Sequence, residues 1–263
     1  MAGRRARGAR PPRPRNQHFL RTRALAAELV ADACVRPDET VVDIGAGSGR
    51  LTAELARAAR RVIAVELDPR WARELTGRWP NVDVVHGDAA AVALPRVPFR
   101  VVANLPFDRT TDLLHALLDD PRTPLERADL VVEWGVAWRR ATPWPSTLNG
   151  VRWSAWYRFS VSRRLARTSF DPPPAVEAGV LVAERRPVPL VPEAQAEAWA
   201  AFVARGFRHG LRSVVSTRQL GSRAAGRCEP RELDAHEWAA LFRDRAGVRP
   251  GKALASRPSS RPL

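Results

Sequence analysis

Residues that crosslink chains or hold metals are scarce in this sequence of 263 residues. Its two cysteines, Cys34 and Cys228, are too few and too far apart to build a disulfide framework, and no C-x-x-C pair occurs. The five histidines (His18, His86, His115, His209 and His236) form neither an H-E-x-x-H motif nor a close ligand pair, so no metal site is expected. No apolar stretch approaches the length of a membrane span, which argues against a membrane-spanning protein. The N-terminus is rich in arginine but lacks the apolar segment of a secretory signal, leaving the cytoplasm as the expected compartment. Lysine is nearly absent: Lys252 is the only one, and arginine supplies the rest of the 43 basic residues. Such one-sided usage can follow genome base composition, so the choice of arginine over lysine carries little weight.

Positive charge, in contrast, is in excess. Against 28 acidic residues the formal net charge is +15, which points to a polyanionic partner, either nucleic acid or an acidic membrane surface. The hydrophobic fraction of 45% is that of an ordinary globular protein. The length allows one good core and a small second domain.

Residues 1–15 are Arg, Pro, Gly and Ala without apolar periodicity and read as a disordered basic arm, which either contacts phosphates or is a plain floppy terminus. Residues 249–263, with three prolines, read as a second tail. Between them apolar runs alternate with helical spacing. Strands are expected at Thr40–Ile44, Arg61–Leu67, Val82–His86, Arg100–Ala103 and Ala128–Glu133, and helices at Leu25–Cys34, Leu51–Ala59, Trp71–Arg78 and Thr111–Leu118. That alternation indicates an α/β fold with a parallel sheet covered on both faces. Later strands at Tyr157–Ser162 and Gly179–Ala183 have no comparable helix between them, as in an antiparallel edge. Helices at Glu193–Phe207 and Glu237–Arg243 follow, so a boundary near Arg186-Pro187 divides an α/β domain (residues 16–186) from a small helical one (residues 187–248).

The first strand ends in Asp43-Ile44-Gly45-Ala46-Gly47-Ser48-Gly49, a turn that offers bare backbone to a ligand. A dinucleotide fingerprint is G-x-G-x-x-G, whereas here the third glycine arrives one residue early, at Gly49. The spacing favours S-adenosylmethionine (SAM) over NAD. Glu66, at the end of the second strand, is placed to accept ribose hydroxyls; the other reading pairs it with a nearby arginine. Asp88, followed by Ala89 at the end of the third strand, either accepts from an adenine amino group or bonds its own backbone in a turn.

The most informative feature is Asn104-Leu105-Pro106-Phe107 at the end of the fourth strand. An adenine amine is a poor nucleophile because its lone pair is delocalised into the ring. Two acceptors that draw its N–H bonds out of plane free that lone pair, and the Asn104 side-chain oxygen and the Leu105 carbonyl can supply them. Pro106 fixes the turn and Phe107 offers a stacking face. These four residues are the candidate catalytic set.

On these motifs the chain resembles the rRNA adenine-N6 methyltransferases, the family that includes the Erm and KsgA enzymes. The resemblance begins at Asn16-Gln17-His18-Phe19-Leu20 and runs through Phe170-Asp171-Pro172-Pro173-Pro174-Ala175-Val176. It implies a Rossmann-like SAM-dependent methyltransferase domain with a small C-terminal helical, RNA-binding domain. It also implies a cofactor site built from Gln17, His18, Leu20, Gly45, Gly47, Gly49, Glu66, Asp88, Ala89 and Asn104, with Phe170 near the target entrance. His18 departs from the Asn of many members, and Phe107 from the commoner Tyr. The segments Val131–Arg140 and Trp153–Phe159 resemble the actinobacterial Erm pattern, where KsgA proteins usually read V-Q-K-E in the first of them. The Erm resemblance implies a monomer that methylates one adenine of 23S rRNA before ribosome assembly is complete, giving resistance to macrolide-type antibiotics. Whether one or two methyls are added is left open.

Trp134, Trp138, Trp144, Trp153 and Trp156 are interleaved with Arg139, Arg140 and Arg152, a combination that suits unpaired RNA or, equally, a packed sheet. Arg163, Arg164 and Arg167 precede Phe170, and Arg205, Arg208, Arg212 and Arg218 lie in the helical region; these are either further candidates for phosphate contact or plain solvated faces. The competing functions are a KsgA-type 16S rRNA dimethyltransferase, a catalytically idle RNA-binding relative, and a DNA adenine methyltransferase, the last lacking a large target-recognition domain.

Overall fold

The computed structural model describes residues 17–142, 147–215 and 229–245. The basic arm, the C-terminal tail, Trp144, Arg218, Cys228 and Lys252 lie outside the described residues. Thr40–Ile44 (β2) is buried along its whole length, as an apolar run covered on both sheet faces must be. It lies in a seven-stranded sheet with Arg61–Glu66 (β3), Val82–His86 (β4), Phe99–Asn104 (β5), Leu125–Glu133 (β6), Tyr157–Leu165 (β7) and Ala178–Arg185 (β9). The order is β4-β3-β2-β5-β6-β9-β7. β4 through β6 pair in parallel, and β9 runs antiparallel to both of its neighbours, β6 and β7. β7 stands at one end of this order, and its alternating exposure shows that one of its faces is open to solvent.

Arg23–Asp32 (α1), Arg50–Ala58 (α2) and Pro69–Leu75 (α3) cover one face, where Leu29, Leu55 and Val62 pack together and Leu75 packs on Ala64. Local signals start these helices. Thr22 accepts from the Leu25 N–H at 3.1 Å, and Asp68 accepts from Arg70 ahead of Pro69 at the first helical position. The other face is covered by Thr110–Leu118 (α4), Trp134–Ala141 (α5), Leu148–Ser154 (α6), Ala196–His209 (α7) and Ala235–Arg245 (α8). β9 ends at Arg185, but the apolar cluster does not stop there: it runs from Phe99 of the sheet to Trp199, Phe202 and Trp238 of the C-terminal helices. A two-stranded ribbon completes the fold, pairing Phe19–Leu20 (β1) with Phe170–Asp171 (β8).

Most of the buried tryptophans are structural. Trp153 and Trp156 are 1% and 3% exposed, and their indole N–H groups donate to Asp119 (2.7 Å) and the Val191 carbonyl (2.9 Å). These two of the five candidates for stacking on RNA therefore belong to the core. At the edge of the sheet opposite the β5 C-terminus, buried Arg100 donates to the Cys34 carbonyl at the end of α1 (2.9 Å) and pairs with Glu39 (3.1 Å). A cation at a helix C-terminus meets the negative end of the dipole, so this charge is compensated on both sides.

Gly206 sits inside α7, where propensity favours alanine by about 1 kcal/mol. A Cβ there would stand 2.5 Å from the Trp238 ring. That ring cannot yield: it is fully buried, stacked on Phe207, and bonded to the Pro230 carbonyl at 3.1 Å. Gly206→Ala is therefore expected to destabilise the protein, by roughly 1–2 kcal/mol net of the propensity gain. Denaturant unfolding measures this, and a more stable variant would show that propensity dominates.

Candidate active site

From β2 the chain crosses to β3 on one side, while β5 lies on the other. The C-terminal ends of β2 and β5 thus open a crevice, the position at which α/β sheets bind ligands. Gln17, His18, Gly45, Gly47, Glu66, Asp88, Ala89 and Asn104, all expected cofactor residues, line this one cleft, together with Leu105 and Pro106. Phe19, from the same segment as Gln17 and His18, lines it too, as do Leu67 and Arg109, which were not anticipated. Leu67 is 59% exposed, an apolar surface directly after Glu66 that sequence spacing alone could have flagged.

Leu20 and Gly49 do not line the cleft. Leu20 is buried in the core, and its carbonyl accepts from the Arg50 guanidinium. Gly49 is the N-cap of α2 at φ 78°, and a Cβ there would lie 2.4 Å from Leu75. Both support the turn through contacts within the fold. Gly47 does line the cleft: a Cβ would stand 2.6 Å from the Phe19 ring, so only bare backbone fits beneath that ring.

Glu66 is buried and organises this turn. One carboxylate oxygen accepts from the Gly47 N–H (2.7 Å) and the other from the Asp68 N–H (2.8 Å). Among the described residues no arginine pairs with it, and each oxygen keeps lone-pair capacity for a further donor. Asp43 lies beneath, fully buried, and accepts from the Thr52 hydroxyl at 2.6 Å. Burial, helped by the charge of Glu66 and opposed by the Thr52 hydroxyl, pushes the Asp43 carboxyl up to about 7.

Asp88 is a turn aspartate, the second of its two expected readings, accepting from the Ala90 N–H of its own turn (3.0 Å), and its carboxylate also borders the cleft. Arg109 holds it as well, at 3.0 and 3.3 Å. The Ala90 N–H first, then the Arg109 guanidinium, keep its carboxyl below the usual range.

Asn104 ends β5 beside β6, and the Leu105 N–H donates to the Val131 carbonyl at 3.1 Å, fixing the peptide plane that follows. The Asn104 Nδ2 donates to the His18 carbonyl at 2.7 Å. Only the amino group of an amide can donate to a carbonyl, so this bond sets which way the side chain faces. Its Oδ1 is buried without any hydrogen-bond partner. A buried acceptor left unmet costs about 1–3 kcal/mol, and such an atom in a cleft is where a donor from a ligand belongs.

Phe107 does not line the cleft. Its ring lies between His18 (5.6 Å) and Phe170 (6.2 Å, edge-on). His18 is tied to the same ribbon, its Nδ1 donating to the Pro172 carbonyl at 2.8 Å. Phe170 is wholly buried, so it braces Phe107 from behind and is not itself on the surface expected for RNA.

The other expected RNA contacts divide. Arg140 is half-buried over the Trp153 ring (4.9 Å) and donates to the Thr147 hydroxyl (2.6 Å). Arg163 is bound to Glu28 and Asp32 of α1, and Arg164 to Glu177. These three are committed to partners within the fold, two of them far off in sequence. Arg139, Arg208 and Arg212 are exposed, and Arg208 shares a shallow groove with Arg205 and His209. Among the described residues no group of His, Cys, Asp and Glu can hold a metal ion, and no helix is long and apolar enough to cross a membrane.

The family described as ribosomal RNA adenine dimethylase matches residues 14–225. The mycinamicin-resistance protein MyrB of Micromonospora griseorubida is 35% identical, over 93% of this chain and 84% of its own. An rRNA adenine N-6-methyltransferase of Corynebacterium diphtheriae is 36% identical over 71% and 74%. Among solved structures, that of the 23S rRNA methyltransferase ErmE is similar with a TM-score of 0.74 at 26% identity, covering 86% of this chain and 98% of that one.

The Asp43 carboxyl has a pH consequence. Its folded-state value near 7 lies above the ordinary 3.8, so between the two the folded protein keeps a proton that the unfolded chain has released. The stability tied to this group is present below the ordinary value and is lost as pH rises towards 7. Asp43→Asn has no such proton to lose. Its unfolding free energy relative to wild type is expected to rise between pH 5 and 7, by roughly 1.4 kcal/mol per pH unit at most, and then to level off. Denaturant titrations across pH 5–8 decide it, and two parallel stability curves would refute it.

Proposed function

We propose that this chain, which belongs to the ribosomal RNA adenine dimethylase family, transfers methyl groups from SAM to N6 of one adenine in 23S rRNA and so confers resistance to macrolide-type antibiotics. The observation that carries the reading is the unpartnered, buried Asn104 Oδ1 at the cleft. Family membership makes it a SAM-dependent methyltransferase acting on rRNA adenine; the choice of 23S rests on likeness to ErmE, and the resistance on likeness to MyrB.

The residues present fit SAM. The Gly45–Gly49 turn offers close backbone approach, Glu66 acceptors for ribose hydroxyls, Asp88 an acceptor for the adenine amino group, and Leu67 an apolar face. When bound, SAM supplies a methyl made electrophilic by its sulfonium. The protein's part is position and electrostatics. Asn104 Oδ1 and the Leu105 carbonyl accept the two N–H bonds of the target amine and free its lone pair. Phe107, outside the cleft lining but against His18, which does line it, and backed by Phe170, stacks the flipped base at the rim of the cleft. In the same reading residues 187–248 form an RNA-binding unit, supported by the exposure of Arg205, Arg208 and Arg212. The enzyme acts as a monomer on 23S rRNA before assembly buries the target, because the base must be splayed out to reach the cleft.

Purified protein with labelled SAM is expected to methylate one adenine of 23S rRNA and none of 16S rRNA, with the modified base mapped. Asn104→Ala is expected to lose on the order of 10²-fold or more in turnover while SAM binding persists. Glu66→Ala should instead weaken SAM binding by roughly 1–3 kcal/mol. Label on 16S rRNA alone would reassign the target. Near-normal turnover by Asn104→Ala would remove the proposed role of its oxygen.

A further inference from the structure

Trp138 stands out among the tryptophans that the structure describes. It is 58% exposed, whereas Trp153, Trp156, Trp199 and Trp238 are all within the core. It is also supported from behind. Its ring stacks on Trp134 (6.1 Å between centroids, 25° between planes). The Arg164 guanidinium lies over Trp134 at 4.7 Å and is held there by Glu177. The backbone carbonyl of Glu177 in turn accepts from the Trp134 backbone N–H at 2.8 Å. Gly179 makes room for the stack, since a Cβ there would meet the Trp134 ring at 2.9 Å. The outer ring is thus mounted on a rigid base, while its own surface is left to solvent.

The position of this stack matters. Asn104 is in register with Val131 on the adjacent strand, and α5 begins three residues after Val131. Trp134 and Trp138 therefore rise from the same sheet edge as the cleft. Glu177, which anchors the stack, belongs to the stretch that follows the β8 ribbon behind Phe107. Arg139, next to Trp138 and exposed, adds a positive charge beside the ring.

We propose that Trp138, seated on Trp134 and Arg164, is a stacking platform for an unpaired base of the RNA strand that carries the target adenine, with Arg139 meeting the adjoining phosphate. The proposal rests on the reading of this protein as an rRNA methyltransferase. The occupant follows from chemistry: the chain carries +15, and an exposed aromatic face beside an arginine suits a base with its phosphate. A flipped target leaves its neighbours unstacked, and a ring at the same edge replaces the lost stacking partner.

The test is methyl transfer and direct binding by the full chain, using a 23S rRNA hairpin that contains the target adenine. Trp138→Ala is expected to raise KM and Kd for RNA about tenfold, with kcat and SAM affinity unchanged. Trp138→Phe should restore most of the loss, because a ring face returns. The salt slope of binding should be unaltered in Trp138→Ala and smaller by about 0.7 in Arg139→Ala, since only the second removes a phosphate contact. An abasic nucleotide at the stacked position should weaken wild type and leave Trp138→Ala unaffected. Unchanged RNA affinity in Trp138→Ala overturns the platform, as does a loss confined to binding of anionic lipid vesicles. Wild-type protein that methylates no rRNA overturns the functional reading itself, and the platform with it.

Discussion

One hydrogen bond, from Asn104 Nδ2 to the His18 carbonyl, decides what the cleft can do. It spends the donor of the amide on the protein and leaves the acceptor bare inside a site. Everything that fixes His18 therefore fixes the chemistry of Asn104. His18 precedes the β1 strand, which pairs with β8, and its ring bonds the Pro172 carbonyl just beyond β8. The carbonyl of Leu20, two residues on, is held by Arg50 at the start of α2. The strap that covers the glycine turn and the ribbon that backs Phe107 are thus the same few residues, so the two halves of the site are mechanically joined.

The glycine turn depends on buried acid groups in a comparable way. Glu66 uses both oxygens on backbone N–H groups, one of them in the turn itself, and so shapes the turn it would serve. Asp43 below it is buried without a cation, and the proton it keeps at its raised value of about 7 spares the turn a second charge beneath Glu66. The Ala90 N–H, and then Arg109, do the opposite for Asp88, favouring the ionised carboxylate at the cleft wall. Three carboxylates on successive strand ends thus have three different electrostatic environments.

The parallel strands were legible because each is an apolar run that ends in a polar residue or glycine: β2 and β4 fall at the expected residues, β3 and β5 within one residue of them, and β6 ends at the expected Glu133 but begins earlier, at Leu125. The cleft followed, since the ends of parallel strands share one edge. Contacts that join distant parts of the chain were not legible. The two-residue strands β1 and β8 lie about 150 residues apart, and α5 and α6 are helices of only 8 and 7 residues. Arginines were over-read for the same reason. Nothing near Arg163 in sequence reveals that Glu28 and Asp32 of α1 await it, and Arg140 looked free until Trp153 lay beneath it. Leu20 and Gly49 belong to the cleft-forming segments, but their contacts are with the fold around the turn.

The central claim is that the bare oxygen of Asn104 receives the target amine. The most direct measurement is a crystal structure of the protein with a SAM analogue and adenosine, at a resolution that separates amide oxygen from nitrogen. The account predicts adenine N6 within about 3.2 Å of Asn104 Oδ1, with Nδ2 still on the His18 carbonyl. An adenine bound in the cleft with Oδ1 turned to a protein donor, and N6 held elsewhere, would contradict it.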